Sequence, residues 1–297
     1  MKKILLILTS ILLSIYILLS LISLGDGYHA ERSLWKIDLK LNYIAAHNES
    51  TPDFTIDQLA HTYRDFINKY SKTIYAKQAE LMLGNLYALR KNYSQARLEY
   101  QKAVCPDKDL SAQAEVTIAK TYELENNNAE ALKIYKNVIQ NYPLTSSGFF
   151  LPIYLTNHLL PSEDQMEYVN AAYYNALVFY RKIAAEHPKS KLEFNALRMV
   201  AVCQLNQKDY EGTVKTMGQI ILKYPVGKAL QEGVNGINVL CVTKLHNYDM
   251  AINIYSQFIQ KYPGHSADPL LKKMIKDLQV LKDKKLVIRT APKPAVK

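Results

Sequence analysis

Glycine is scarce in this chain, ten residues in 297, and no run of alternating β-branched residues stands between glycine-rich turns. A sheet-based fold is therefore excluded, because tight hairpins need glycine and half-buried strands need a two-residue period. Cys105, Cys203 and Cys241 form an odd set with no CxxC spacing and no histidine at metal-ligand intervals, which predicts neither a zinc site nor a disulfide. Cys203 and Cys241 fall on apolar helical positions, where a free thiol packs as a small hydrophobe. The seven histidines share no i, i+4 pairing, and the HExxH, Walker-A, GxSxG and EF-hand signatures are all missing. Ser33-Leu34-Trp35-Lys36 has the S-x-x-K spacing of penicillin-recognising enzymes, but its companion motifs are absent and the pattern is not α/β. The chain reads as a non-enzymatic protein with no cofactor and no metal.

Charge is unevenly spread. The formal net charge is +10, yet residues 272–297 hold nine Lys or Arg against two Asp, or +7, and Lys2 with Lys3 add +2, leaving +1 for everything between. A near-neutral body lacks the basic face that nucleic-acid binding requires, so no nucleic-acid partner is expected.

What the sequence has in quantity is helical periodicity. Over Gln78 to Val104, Ala79, Leu83, Gly84 and Tyr87 fall on one stripe, then Tyr93, Ala96, Tyr100 and Ala103 make a second, with the break at Asn92. That is a helical hairpin whose small residues permit close approach. It recurs. With Tyr93 as anchor the equivalents are Asn128, Tyr173, Tyr210 and Tyr248, at spacings of 35, 45, 37 and 38. Three residues on stand Ala96, Ala131, Ala176, Thr213 and Ala251, and four further Tyr100, Tyr135, Tyr180, Met217 and Tyr255. First helices repeat Ala79, Ala114, Ala196 and Val234, then Gly84, Ala119, Ala201 and Val239. Second helices stop at Tyr142-Pro143, His187-Pro188, Tyr224-Pro225 and Tyr262-Pro263, since proline cannot continue a helix. Such hairpins bury their faces only by stacking.

This set of residues resembles the tetratricopeptide repeat over roughly residues 55–263, and the Tyr-Pro endings are similar to those of the BamD-like branch of periplasmic envelope proteins. The first full repeat departs from the pattern, with Lys108 at the closing-proline position, and the third is irregular. The fold class expected is all-α, a superhelix of helical hairpins (a solenoid) with an N-terminal transmembrane or signal helix. Its parts are a signal or anchor segment (1–27), leading helices forming a degenerate repeat (28–71), the array proper (72–263, irregular at 143–188), a capping helix (264–286) and a disordered basic tail (287–297).

Ile4 to Leu24 is a stretch of 21 residues without a charge. As a helix it reaches about 30 Å, enough for a hydrocarbon layer and long for a cleaved signal. Membrane contact through residues 4–24 is the reading, and secretion after cleavage the alternative. Lys2 and Lys3 precede the run, so the positive-inside rule places the body outside the cytoplasm; a single-pass inner-membrane protein facing the periplasm is expected. Tyr28 to His47 continues as a helix, with Trp35 expected to pack against the first repeat rather than to join a membrane-surface belt. Phe149, Phe150, Ile153, Tyr154 and Leu155 crowd around Pro152 as either a kinked first helix or an exposed apolar hook, and burial of the two phenylalanines separates these. A capping box, Ser162-Glu163-Asp164-Gln165, opens the next helix. Gly227, Gly233 and Gly236 lower helix propensity and predict close packing or pliability. Leu270, Leu271, Met274, Leu278 and Leu281 form the inward face of the capping helix.

The resemblance implies a concave groove lined by first helices, and its groove-facing sites here are Gln78, Asn85, Gln113, Lys120, Asn195 and Arg198. Amide and basic groups in a row suit the donors and acceptors of an extended peptide. Leu81 and Thr117 stand where a carboxylate clamp needs Lys and Asn, so recognition of a free C-terminus is not expected. The function implied is a protein–protein interaction scaffold of the bacterial cell envelope, binding another envelope protein in the groove. The alternative gives the work to the basic tail, which would hold anionic membrane or cell-wall polymer with the array as spacer.

Overall fold

The computed structural model describes residues 2–23, 26–158 and 166–290. The capping box at Ser162 to Gln165 and the tail from 291 onward lie outside the described residues. Within them every regular element is an α-helix and no strand occurs: α1 (Lys2–Ser23), α2 (Asp26–Ala46), α3 (Asp53–Lys69), α4 (Ile74–Leu89), α5 (Tyr93–Ala103), α6 (Lys108–Leu124), α7 (Asn128–Asn141), α8 (Ser146–His158), α9 (Met166–Glu186), α10 (Lys191–Asn206), α11 (Tyr210–Lys223), α12 (Gly227–Thr243), α13 (Tyr248–Lys261) and α14 (Asp268–Thr290). The chain forms two compact units, Met1–Leu151 and Pro152–Lys297. In the first, α2 through α7 pack neighbour on neighbour, and α2 with α4, then α4 with α6, also touch; in the second, α9 through α14 do the same.

Four of the anchors mark the start of a helix to the residue. Tyr93, Asn128, Tyr210 and Tyr248 each open a helix because the residue before is an Asx cap whose side-chain oxygen accepts a backbone N–H: Asn92 from Gln95, Asn127 from Glu130, Asp209 from Gly212 and Asn247 from Met250. One residue earlier the backbone is left-handed at Lys91, Asn126, Lys208 and His246. In the first three turns the capping residue's N–H then reaches back to the first helix, from Asn92 to Tyr87, Asn127 to Tyr122 and Asp209 to Gln204. That is a Schellman close made without glycine. Tyr173 differs, because it lies inside α9, which has no break there.

The helices also end where proline stops them, with Tyr142, Tyr224 and Tyr262 as C-caps. Second-helix small residues are fully buried, Ala96, Ala131 and Ala251 at 0%, and Tyr100, Tyr135, Tyr180 and Tyr255 are at most 2% exposed. Each of several second-helix tyrosines donates its hydroxyl across to the helix before it: Tyr63 to Asp38 Oδ1 (2.8 Å), Tyr100 to Asn85 Oδ1 (2.9 Å) and Tyr255 to the Val234 carbonyl (2.9 Å). At Gly84 a Cβ would run into the Tyr100 ring, so the close approach there needs glycine.

Several expectations are corrected. Val239, placed on the packed stripe of α12, is exposed, and Ile237, Leu240 and Cys241 take the interior instead. The register turns because Gly233 faces Ile221 and Gly236 faces the Met217 side chain, so α12 lies against α11 through its glycines. Phe149 is buried and Phe150 exposed, so the apolar cluster at Pro152 is neither wholly core nor wholly hook. In α14, Leu271 and Leu278 are buried while Leu270 and Leu281 are exposed.

Trp35 does not pack against the first repeat; it is 60% exposed. The inward face of α2 is Ala30, Leu34, Ile37, Leu41 and Ile44, clustered with Leu59, Tyr63 and Phe66 of α3 and with Ala79, Leu83 and Leu86 of α4. One residue past Leu34 the helix has turned by about 100°, which carries Trp35 off that face. The described side chains of α1, residues 7–19, are all exposed. Among the described residues no helix is long and apolar enough to cross a membrane.

Candidate partner-binding clefts

In the first unit, α4 and α6 lie side by side, and the surface between them opens a cleft of about 580 Å³. Gln78 comes from α4, and Gln113, Thr117 and Lys120 from α6. The helical period puts Gln113, Thr117 and Lys120 on one face of α6, at i, i+4 and i+7. Asp107 and Asp109, at the start of α6, and Ser146 and Ser147, at the start of α8, complete the wall. Part of this polar surface is already committed. Asp107 caps α6 by accepting the Leu110 N–H at 2.9 Å, Asp109 accepts the Ser146 N–H at 3.4 Å, and the Thr117 hydroxyl donates to carbonyls of its own helix. Gln113 and Lys120 are exposed, Gln78 is half-buried, and all three carry polar ends into the same cleft. Two amides, an ammonium and two carboxylates offer donors and acceptors in one row and no nucleophile–base pair.

Asn85 is not part of this surface. Its carbonyl oxygen takes the Tyr100 hydroxyl, so its polar end is spent inside the hairpin. Leu81 is 1% exposed, buried in the α4/α5/α6 core, so the clamp position there faces inward.

In the second unit Arg198 lines a smaller cleft of about 190 Å³ between α10, α11 and α12, walled by Phe194, Val202, Leu205, Met217 and Gly233. Its guanidinium sits 5.7 Å from the Phe194 ring centre and 3.4 Å from the Glu232 carboxylate across the opening. Both partners are about half exposed, so the pair is solvated and contributes little to stability. Asn195, half-buried on α10, lines neither cleft. Of the six residues read from the sequence, the structure thus brings Gln78, Gln113 and Lys120 together and places Arg198 in a separate cleft. Asp107, Asp109, Ser146 and Ser147 were missed because they stand in helix starts and not at fixed positions along first helices. A signal was available for Asp107 alone, as the acidic cap before α6.

Beside the clefts lies a buried carboxylate with a structural task. Glu193 is 3% exposed. It accepts hydrogen bonds from the Lys189 N–H (2.7 Å), the Tyr224 hydroxyl (2.9 Å) and the Lys223 ammonium. Ser190 caps the same helix by accepting the Glu193 N–H at 3.0 Å, and the Glu193 carboxylate reaches back one residue past the cap to the Lys189 N–H, a variant of the capping box. Burial pushes the Glu193 carboxyl up, but the bond from Lys223, the Lys189 N–H, the Tyr224 hydroxyl and the Lys223 charge together hold it below its ordinary range. Burial likewise raises the Cys203 thiol to about 12 and the Cys241 thiol to about 11, as fits thiols at 0% exposure. Among the described residues no group of three or more His, Cys, Asp or Glu is placed to hold a metal ion.

Comparison with known proteins agrees with the hairpin geometry. A tetratricopeptide repeat model matches residues 113–145 and 195–225. The first match takes in most of α6 with all of α7, and the second most of α10 with all of α11. No curated protein matches the chain. Among solved structures, the crystal structure of the APC/C hetero-tetramer Cut9-Hcn1 aligns with a TM-score of 0.33 at 11% identity, over 84% of this chain and 47% of that one. This chain spans less than half the length of that relative, and a likeness at that level carries no argument about function. The matches do not support the BamD-like branch. Residues 113–145 and 195–225 thus match the tetratricopeptide repeat, a module that generally mediates protein–protein interaction.

Proposed function

We propose that this chain is a non-enzymatic scaffold that binds an extended segment of a partner protein in the cleft between α4 and α6. The observation that carries the reading is the convergence of Gln78, Gln113 and Lys120 on one open surface between first helices, with Asp107 and Asp109 at its end. A peptide laid along that surface meets amide donors and acceptors for its backbone. Lys120 favours an acidic side chain on the peptide beside α6, and the aspartates favour a basic one near the helix starts.

The uncharged run from Ile4 to Leu24, preceded by Lys2 and Lys3, supports tethering to a bilayer with the body outside the cytoplasm, as in a bacterial envelope. The partner on this reading is another envelope protein. A photo-crosslinking residue placed at Gln113 should trap a discrete partner from intact cells, and Lys120→Glu should cut that yield several-fold. A crosslink of equal yield in the Lys120→Glu chain would refute the cleft assignment.

A further inference from the structure

Helix α2 has two apolar faces, and only one is used by the fold. The inward face, Ala30, Leu34, Ile37, Leu41 and Ile44, is at most 8% exposed. On the opposite side stand Tyr28, Trp35, Leu39 and Tyr43, at steps of seven, four and four residues, and these are 47%, 60%, 49% and 65% exposed. Steps of three, four and seven return to one side of a helix, so these four form a continuous stripe. Arg32, Lys36 and Lys40 run beside it at steps of four and are all exposed. None of the three has a carboxylate partner among the ion pairs of the described residues. Leu39 and Tyr43 also wall a shallow cleft of about 420 Å³ shared with Thr55, Gln58 and Thr62 of α3.

We infer that this outer face of α2 docks on the surface of an anionic lipid bilayer. Three observations choose that occupant. The stripe is made of two tyrosines, a tryptophan and a leucine, and tyrosine and tryptophan are the side chains whose apolar rings and polar tips suit the headgroup boundary. A row of cations flanks it, which complements anionic headgroups and is the composition of a helix lying in the interface plane. The stripe also begins within a few residues of the uncharged run at 4–24, so in sequence it is continuous with the segment read as membrane-embedded. The helix need not cross the bilayer, and its inward face stays in the repeat core. The proposal rests on the tethering part of the reading above and adds a second contact, one that would hold the first repeat against the membrane surface.

The experiment uses the only tryptophan in the chain, Trp35. The full chain is reconstituted into nanodiscs of neutral lipid and of neutral lipid mixed with an anionic phospholipid, and Trp35 emission and its quenching are recorded. The expected result in anionic discs is emission at shorter wavelength, strong quenching by lipids brominated near the carbonyl group, and weak quenching by aqueous acrylamide. Replacing Arg32, Lys36 and Lys40 by Gln should weaken docking by roughly five-fold per residue at low salt, with the loss largest on anionic discs. Leu39→Ser with Tyr43→Ser should have a similar effect, and because both side chains are exposed the fold should be untouched, as circular dichroism would report. If the chain inserts in discs while Trp35 remains fully open to acrylamide, the docking inference is overturned and the tether stands. If the chain does not associate with discs at all, both fall. Shielding of Trp35 that rises with protein concentration in detergent would assign the face to a second copy and overturn the lipid assignment.

Discussion

Removing the Glu193 carboxylate should loosen the contact between the start of α10 and the end of α11, with a pH dependence that identifies the group. Glu193→Ala removes the acceptor of three donors, of which the Tyr224 hydroxyl keeps the Ser190 carbonyl at 3.1 Å. Lys223 is half exposed, so its ammonium returns to water at little cost. The Lys189 N–H and the Tyr224 hydroxyl lie near the surface and can be rehydrated. The cost is therefore the net value of the bonds to a charged acceptor plus the loss of the capping box, about 2–3 kcal/mol, and not the larger value of a stranded buried charge. Glu193→Gln keeps an acceptor for Lys189 and Tyr224 and loses the ion pair, for about 1 kcal/mol. The carboxyl is held below its ordinary value in the folded chain. Its contribution is then complete above the unfolded pKa of about 4.3 and is lost as pH falls through the lower folded value. The assay is hydrogen exchange of α10 and α11 amides in the full chain, since two compact units make a single melting curve a poor measure. Exchange in these helices should accelerate about 30-fold or more in Glu193→Ala at pH 7, and the gap to the natural chain should narrow in acid. A gap below two-fold, or one that does not change with pH, would refute the reasoning.

Two further outcomes follow from packing. Gly84→Ala should destabilise the α4/α5 hairpin by about 1–2 kcal/mol, because the added methyl meets a Tyr100 ring that is 2% exposed and tied to Asn85, a clash that outweighs the gain in helix propensity; hydrogen exchange in α5 measures it, and a stabilised hairpin would contradict the close approach. Under native conditions at pH 8, Cys105 should be alkylated well before Cys203 and Cys241, which are buried with thiols raised to about 12 and about 11; peptide mass spectrometry reads the order, and equal rates would mean the repeat interiors open freely.

Much of the fold was legible because it is local and repeated. Tyr93, Asn128, Tyr210 and Tyr248 mark helix starts in the sequence for a reason the structure makes plain: the Asx residue before each caps the helix, and a left-handed residue before that closes the previous one. What was not legible is where two helices set their mutual rotation. Val239 sits where the repeat pattern asks for burial, yet Gly233 and Gly236 bring α12 onto α11 along another line and leave Val239 in solvent. The helical period puts Trp35 off the stripe of Ala30, Leu34, Ile37, Leu41 and Ile44, but pattern alone could not say which of the two apolar faces of α2 the fold covers. The site shows the same limit. Gln78, Gln113 and Lys120 share a cleft, while Asn85, named on the same resemblance, is consumed by Tyr100.

The sequence by itself determined the helices, their pairing and their stops, because capping, proline and the 3.6-residue period act within a few residues of chain. Only the tertiary structure decided which polar groups remain available to a partner and which apolar face of α2 stays uncovered. Those outcomes depend on contacts between residues far apart in the chain, where one side chain's hydrogen bond or one glycine's missing methyl selects among rotations that the pattern leaves equal.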